Sequence, residues 1–285
     1  MTTSSNAVGG LLFVLLWSSG YIAAEFALAG SGSFTLAVLR FGGSALIIGS
    51  WLLLRRAPKP QRHDLQHAAM AGLLVQAGFF GFTYAGMRAG VSPAAAGLIA
   101  GLMPLTTALG ATALLGERLG RYAIPGFVLG LGGVLLVIAP KLGHGGSLPG
   151  YLFAICALLS LSGGTLYQKR HASHLDPRLS LLVQLLVSLA VLLPFAWWLE
   201  GLRLDPAPSV IGGVLWAILI NSCAGLLLYL WLISQGAASR VAGLFFLVPP
   251  VTAVLAALIL GADFGLRESV GFALTAIGVW LGQRR

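Results

Sequence analysis

Trp17, Tyr21 and Glu25 recur at every fourth residue of one apolar run, and Gln76, Phe79, Phe80, Thr83, Tyr84 and Met87 form a stripe at helical spacing in another. At 3.6 residues per turn, each set projects from one side of a helix. Aromatic rings stack, and a carboxamide both donates and accepts hydrogen bonds, so such faces recognise a small amphipathic molecule. A second carboxamide, Asn221, shares a face with Gly225, Tyr229 and Leu232, and the two faces could close on one ligand. Each set also has a plainer reading. Aromatic stripes pack helices together, and a mid-span Asn can tie two helices with an interhelical hydrogen bond. Trp17 lies mid-run, where interfacial anchoring explains it poorly, and a Gln amide is costly in hydrocarbon, so Gln76 should face protein or water. Tyr167 and Gln168 could contribute to the same cavity, although an interfacial Tyr explains that position equally well.

Catalysis has nothing to build on. His63, His67, His144, His171 and His174 fall in connections, with no HExxH, no glycine-rich phosphate loop and no Ser/His/Asp set in an apolar run. His63 and His67 are four apart, which in a connection reads as a solvated helix start before a metal site. Cys156 and Cys223 lie in apolar runs away from any His at ligand spacing, so inert buried thiols are expected. No enzyme activity, cofactor or metal follows.

The elements that position these faces are set by composition. The 285 residues include 17 basic and 8 acidic ones, 9% charged in all, while 58% are apolar and the mean hydropathy is +0.92. A soluble domain carries about 25% charged residues, so lipid must cover most of this surface. A span needs about 20 apolar residues. Runs between charged or Pro/Gly-bearing breaks predict ten helices near 8–28, 34–54, 68–87, 93–115, 122–140, 150–168, 179–199, 209–233, 241–262 and 268–283. Long continuous runs favour helices over an outer-membrane barrel. The opening Met1–Asn6 lacks a basic region, so the first run is expected to stay as a helix rather than leave as a signal peptide.

A net charge of +9 would suggest nucleic acid in a soluble protein, but membrane orientation accounts for it here. With the N-terminus in the cytoplasm, 12 Lys or Arg residues in connections fall inside and 4 outside, as the positive-inside rule requires for one orientation. Both termini are then cytoplasmic, in a bacterial inner membrane. Arg40 and Glu25 remain within spans at similar depth on adjacent helices, which predicts either a salt bridge between them or exposure of both to the outward vestibule.

A shift of 146 residues lays Ala96-Gly97-Leu98 on Ala242-Gly243-Leu244, Pro104 on Pro250, Thr106 on Thr252 and Gly132 on Gly278. Two five-helix units follow, 1–145 and 146–285. Five is odd, so the second crosses in the opposite sense. Such inverted repeats surround a central site and exchange inward- and outward-open shapes, which points to a secondary transporter. Pro104 and Pro250, with Gly101 and Gly243, sit mid-run where they could kink a helix statically or let a half-helix swing.

The stretch Ser92 through Pro104 to Glu117-Arg118, its partner from Ala242 through Pro250 to Asp263, Trp17-Ser-Ser-Gly-Tyr21 and Leu39-Arg40-Phe41 together resemble EamA-type members of the drug/metabolite transporter superfamily, with a closer similarity to YddG-like aromatic amino-acid exporters. Asp263-Phe264 departs from the Glu-Arg often found in the second copy. The resemblance implies an all-helical integral membrane protein of ten transmembrane helices, with peripheral fifth and tenth helices and export of small metabolites. The expected substrate is an amino acid, aromatic ones included, gripped by Trp17, Tyr21, Gln76, Phe79, Phe80, Thr83, Tyr84, Asn221, Tyr229 and Phe246. With no cation or carboxylate expected mid-cavity, a zwitterion fits better than a nucleotide sugar. Efflux of hydrophobic cations is the alternative, through cation-π contacts. The expected partners are the small-molecule substrate and the lipid bilayer. Glycine-rich faces pack equally well within or between chains, so oligomeric state is open.

Overall fold

Hydrocarbon offers no water to backbone N–H and C=O groups, so an apolar run must satisfy them internally as helix. In the computed structural model, which describes residues 3–54, 62–116, 120–141, 147–171, 176–225, 228, 247–262 and 265–282, the described apolar runs are helical and the one β feature is a single antiparallel bridge between Ser31 and Leu204. Among the described residues the helices are α1 (Thr3–Leu28), α2 (Ser33–Leu54), α3 (His63–Arg88), α4 (Pro93–Leu114), α5 (Ala123–Ile138), α6 (Leu148–His171), α7 (Pro177–Glu200), α8 (Pro208–Ala224), α9 (Val248–Leu260) and α10 (Leu266–Gly282). Six of them, α1 to α4, α6 and α7, are long and apolar enough to cross a membrane, while α5, α8 and α9 are shorter apolar helices.

Local chemistry fixes the ends. Ser92 caps α4 by accepting from the Ala95 N–H at 3.3 Å, with Pro93 in the first turn. Asp176 caps α7 by accepting from Arg178 N–H at 2.8 Å, and Gly201 at φ 65° stops the same helix. Two helices are irregular inside. The middle of α3, Leu73–Gly78, and the end of α8, Trp216–Ala224, are π-helical. Residues 219–224 of α8 lie 146 positions after 73–78 of α3, so the irregularity recurs in both copies of the repeat.

The packing follows the same exchange. Helix α5 lies along α10, α2 along α7 and α4 against α9; α3 packs on α6 as α1 does on α8, and α4 meets α6 as α1 meets α9. Advancing every label by five maps this set onto itself. The α5–α10 seam is backbone against backbone. A Cβ on Gly126 would collide with the Gly278 carbonyl, and one on Gly133 with the Gly271 carbonyl, while Thr275 Oγ donates to Gly130 O at 3.3 Å. Lipid gives no hydrophobic drive between helices, so such close approach is what holds them.

The kink expected at Pro104 is instead a break. Helix α4 stops at Ala100, turns through Gly101 and Leu102, and restarts at Met103 with Pro104 in its first turn. Pro250 likewise sits in the first turn of α9. A proline costs no hydrogen bond there, because that N–H has no helical partner anyway. Gly243 lies outside the described residues.

Replacing Gly126 or Gly278 by Leu should reduce the monodisperse yield in size-exclusion chromatography by several-fold, since overpacking costs about 1–3 kcal/mol or more. Gly132→Leu on the same helix should be tolerated, because nothing lies within 4 Å of its added Cβ.

Candidate functional site

Helix α1 is tied to the second half by its Trp17-Ser18-Ser19-Gly20-Tyr21 turn. Ser18 Oγ donates to Val248 O at 3.2 Å, Trp216 Nε1 donates to Ser19 Oγ at 2.9 Å, and Asn221 Nδ2 donates to Leu16 O at 2.5 Å. Gly20 permits the last contact, because a Cβ there would sit 3.0 Å from Asn221 Nδ2. Where α1 and α8 meet α2 and α3, a small cavity is lined by Trp17, Gly20, Tyr21, Arg40, Phe79, Phe80, Thr83, Tyr84 and Asn221. It encloses about 30 Å³. Pockets that hold drug-sized ligands measure roughly 300–1,000 Å³, so a metabolite enters only if the walls part.

Seven of the ten residues assigned to the ligand from sequence, all but Gln76, Tyr229 and Phe246, meet at this cavity. Tyr229 and Phe246 lie outside the described residues. Gln76 is half-buried on α3 but does not line the cavity. The reason is the π segment. A π turn closes from i to i+5, so Gln76 no longer falls over Phe80 as it would in an α-helix.

Arg40 corrects the expectation of a cavity without a cation. The guanidinium belongs to the cavity wall and is only 7% exposed. Nη1 donates to Tyr84 Oη at 2.6 Å, Nε donates to Ser222 Oγ at 2.9 Å, and the plane lies 4.0 Å from the Phe80 ring centroid. Its partners are therefore a phenol, a hydroxyl and a ring face rather than Glu25, which is half-buried on α1. Among the described residues no carboxylate pairs with Arg40. Five N–H donors in a flat fork make guanidinium the side chain best shaped for a carboxylate, and two of its nitrogens are engaged here.

Beside it, Asn221 offers the opposite polarity. Asn221 is 7% exposed and its Oδ1 is buried with no hydrogen-bond partner. Exchanging the amide O and N would turn an oxygen onto Leu16 O, so the geometry fixes Oδ1 as the open acceptor. Its neighbour Ser222 already touches Arg40, which places the open acceptor one residue from the guanidinium's partner. Rings complete the wall: Phe80 meets Phe79 at 4.7 Å and Tyr84 at 5.9 Å between centroids. Gly20, Arg40 and Ser222 are the members that sequence reasoning did not assign to a ligand. Arg40 carried a usable signal, since an ionisable residue inside a span is expected to face a functional interior.

A helical bundle with a small aromatic cavity and a buried cation at its wall, built on packing that repeats every five helices, has the form of a membrane transporter. The EamA-like transporter family profile matches the chain twice, over residues 5–139 and 148–282, and the chain belongs to that family, within the drug/metabolite transporter superfamily. Similar curated proteins include the uncharacterized transporter YvbV of Bacillus subtilis strain 168, 26% identical over 94% of this chain and 88% of the relative. The uncharacterized protein PA1977 of Pseudomonas aeruginosa is 34% identical over 82% of this chain and 78% of its own length. A probable amino-acid metabolite efflux pump of Salmonella typhimurium is 26% identical over 95% and 92%. A solved crystal structure shares the fold at a TM-score of 0.69, 23% identity, and coverage of 99% of this chain and 97% of that one.

Glu25→Gln and Arg40→Leu, made singly and together, should give thermal unfolding changes in detergent that add to within about 0.5 kcal/mol, as for sites with no shared partner. A coupling well above that would restore the ion pair.

Proposed function

We propose that the protein is a secondary transporter that exports small carboxylate-bearing metabolites, amino acids with aromatic members included, by alternating access. The observation that carries this reading is Arg40: a buried cation without a carboxylate partner among the described residues, set in the wall of an aromatic cavity beside the open acceptor of Asn221. A substrate carboxylate would complete the guanidinium, its ammonium would donate to Asn221 Oδ1, and its side chain would lie against Trp17, Phe80 and Tyr84. The similarity to a probable amino-acid metabolite efflux pump supports the same substrate class. The alternative, efflux of hydrophobic cations, is disfavoured by the same residue. Arg40 already covers the Phe80 face, and a second buried cation would meet it with nothing to offset the repulsion.

In this reading ten spans form two inverted units, 1–145 and 146–285, with both termini cytoplasmic in a bacterial inner membrane. Tyr229 and Phe246 would add to the far wall. The break at Gly101–Pro104 would serve as a hinge, with Pro250 and Gly243 as its proposed counterparts in the second half, because α4 and α9 meet there and a Cβ on Gly101 would collide with Pro249.

Proteoliposomes should take up labelled phenylalanine and threonine, and Arg40→Gln should lower uptake by about 10-fold or more, as loss of a hydrogen bond to a charged group predicts. Arg40→Lys should retain part of it. Uptake of methyl viologen in place of amino acids, or an Arg40→Gln variant that transports normally, would overturn the assignment.

A further inference from the structure

A second cluster lies away from the cavity, where the first turns of α3 approach the end of α6. His63 and His67 stand one helical turn apart, and their Nε2 atoms face each other at 3.0 Å. At that distance one Nε2 donates its proton to the other, and a metal ion that displaces this proton would meet both nitrogens at once. His67 Nδ1 is 2.7 Å from Tyr167 Oη on α6. The His171 ring stacks on both His67 and Tyr167, at 5.1 and 4.6 Å between centroids, and its Nδ1 is 3.3 Å from Tyr167 O. In the tautomer in which Tyr167 Oη accepts the His67 Nδ1 proton, His67 Nε2 turns its lone pair toward His63. That is the arrangement of a metal-ligating histidine, whose remote nitrogen is held by a neighbouring oxygen.

We propose that His63 and His67 form a divalent transition-metal site, with Tyr167 as a positioning residue. Metal–nitrogen bonds of about 2.0–2.1 Å and the observed nitrogen separation give an N–metal–N angle of about 95°. That angle belongs to cis positions of a tetragonal or octahedral ion and not to a tetrahedron, so the geometry selects Cu²⁺ or Ni²⁺ over Zn²⁺. Among the described residues no group of three or more His, Cys, Asp or Glu side chains is placed to hold an ion. The described residues therefore supply two ligands, and water would complete the coordination, as in an exchangeable site. Both imidazoles must be neutral to ligate, so protons compete with the metal. The site is independent of what the cavity carries. Its position has a consequence, however: fixing His67 against Tyr167 ties α3 to α6 at one end of the helix that carries Phe79, Phe80, Thr83 and Tyr84.

The test is titration of the purified full chain, carrying no histidine tag, with CuCl₂, NiCl₂ and ZnCl₂, read by calorimetry and by Cu²⁺ electron paramagnetic resonance. Wild type should bind one Cu²⁺ with two equatorial imidazole nitrogens, more tightly than Zn²⁺ and more weakly as pH falls, because protons compete for both nitrogens. His63→Ala should lower the Cu²⁺ affinity at least tenfold and leave one imidazole nitrogen in the spectrum. His63 is exposed, so that variant keeps its fold, which circular dichroism checks independently. Tyr167→Phe should weaken binding by about 10-fold while both nitrogens remain. Undiminished Cu²⁺ binding in His63→Ala, or no saturable binding by wild type, would overturn the site.

Discussion

The contacts of one guanidinium join the two halves of this protein. Arg40 projects from α2, donates to Tyr84 on α3 and to Ser222 on α8, and covers Phe80. A cation in a span is costly unless its donors are met and its charge is shared. The phenol, the hydroxyl and the ring face meet that requirement in part, and they do so only if α2, α3 and α8 converge. Asn221 and Gly20 then follow. Asn221 adjoins the serine that Arg40 holds, and α1 must come close enough for Leu16 to accept from Asn221, which a side chain at position 20 would obstruct. The cavity is the space left where these demands meet.

At the opposite end of α2 from Leu54, a second polar contact joins the same two halves. The Glu200 carboxylate at the end of α7 accepts from Phe34 N–H at 3.0 Å, Thr35 N–H at 2.7 Å and Thr35 Oγ at 2.8 Å. These are the unsatisfied amides of a helix start, where a negative charge is also favoured by the helix dipole. Gly32 leaves room for the carboxylate, since a Cβ there would collide with it. The same connection is braced by the Asp205 N–H donating to Gly30 O at 2.8 Å and by Arg88 donating to Leu28 O at 3.0 Å.

Much of this was legible in the sequence because hydrocarbon leaves few choices. Apolar run length located the described helices to within a few residues in most cases, and the face of α1 and the lower part of the α3 stripe, from Phe79 to Tyr84, reached the cavity as their spacing requires. Two kinds of detail were not legible. Gln76 was assigned by α-helical spacing through a segment that is π-helical, and nothing in Leu73–Gly78 announces that change of period. Arg40 was matched with Glu25 because charge and depth agreed, yet its direction is set by Tyr84 and Ser222, which are 44 and 182 residues away. Periodicity carries information about neighbours on one helix. It carries none about which distant polar group a long side chain will meet.

The small cavity also constrains where a carrier of the proposed kind could open. Its 30 Å³ is too small for a metabolite, so the substrate site proposed there requires the helices around it to separate, and they differ in how far they can. Helices α5 and α10 interlock through glycine backbones that tolerate no added atom; sliding them would lose close contacts that nothing else replaces in lipid. Helix α4 is already broken at Gly101 and Leu102, and α3 and α8 carry π segments beside the cavity. A broken or π-helical turn has departed from the regular i to i−4 ladder, so changing it further disrupts fewer regular hydrogen bonds than bending an intact helix. The π segments occur in corresponding helices of the two halves. In the proposed alternating access, such paired segments would let one change be made in either half, as a single site facing the two sides of a membrane in turn requires.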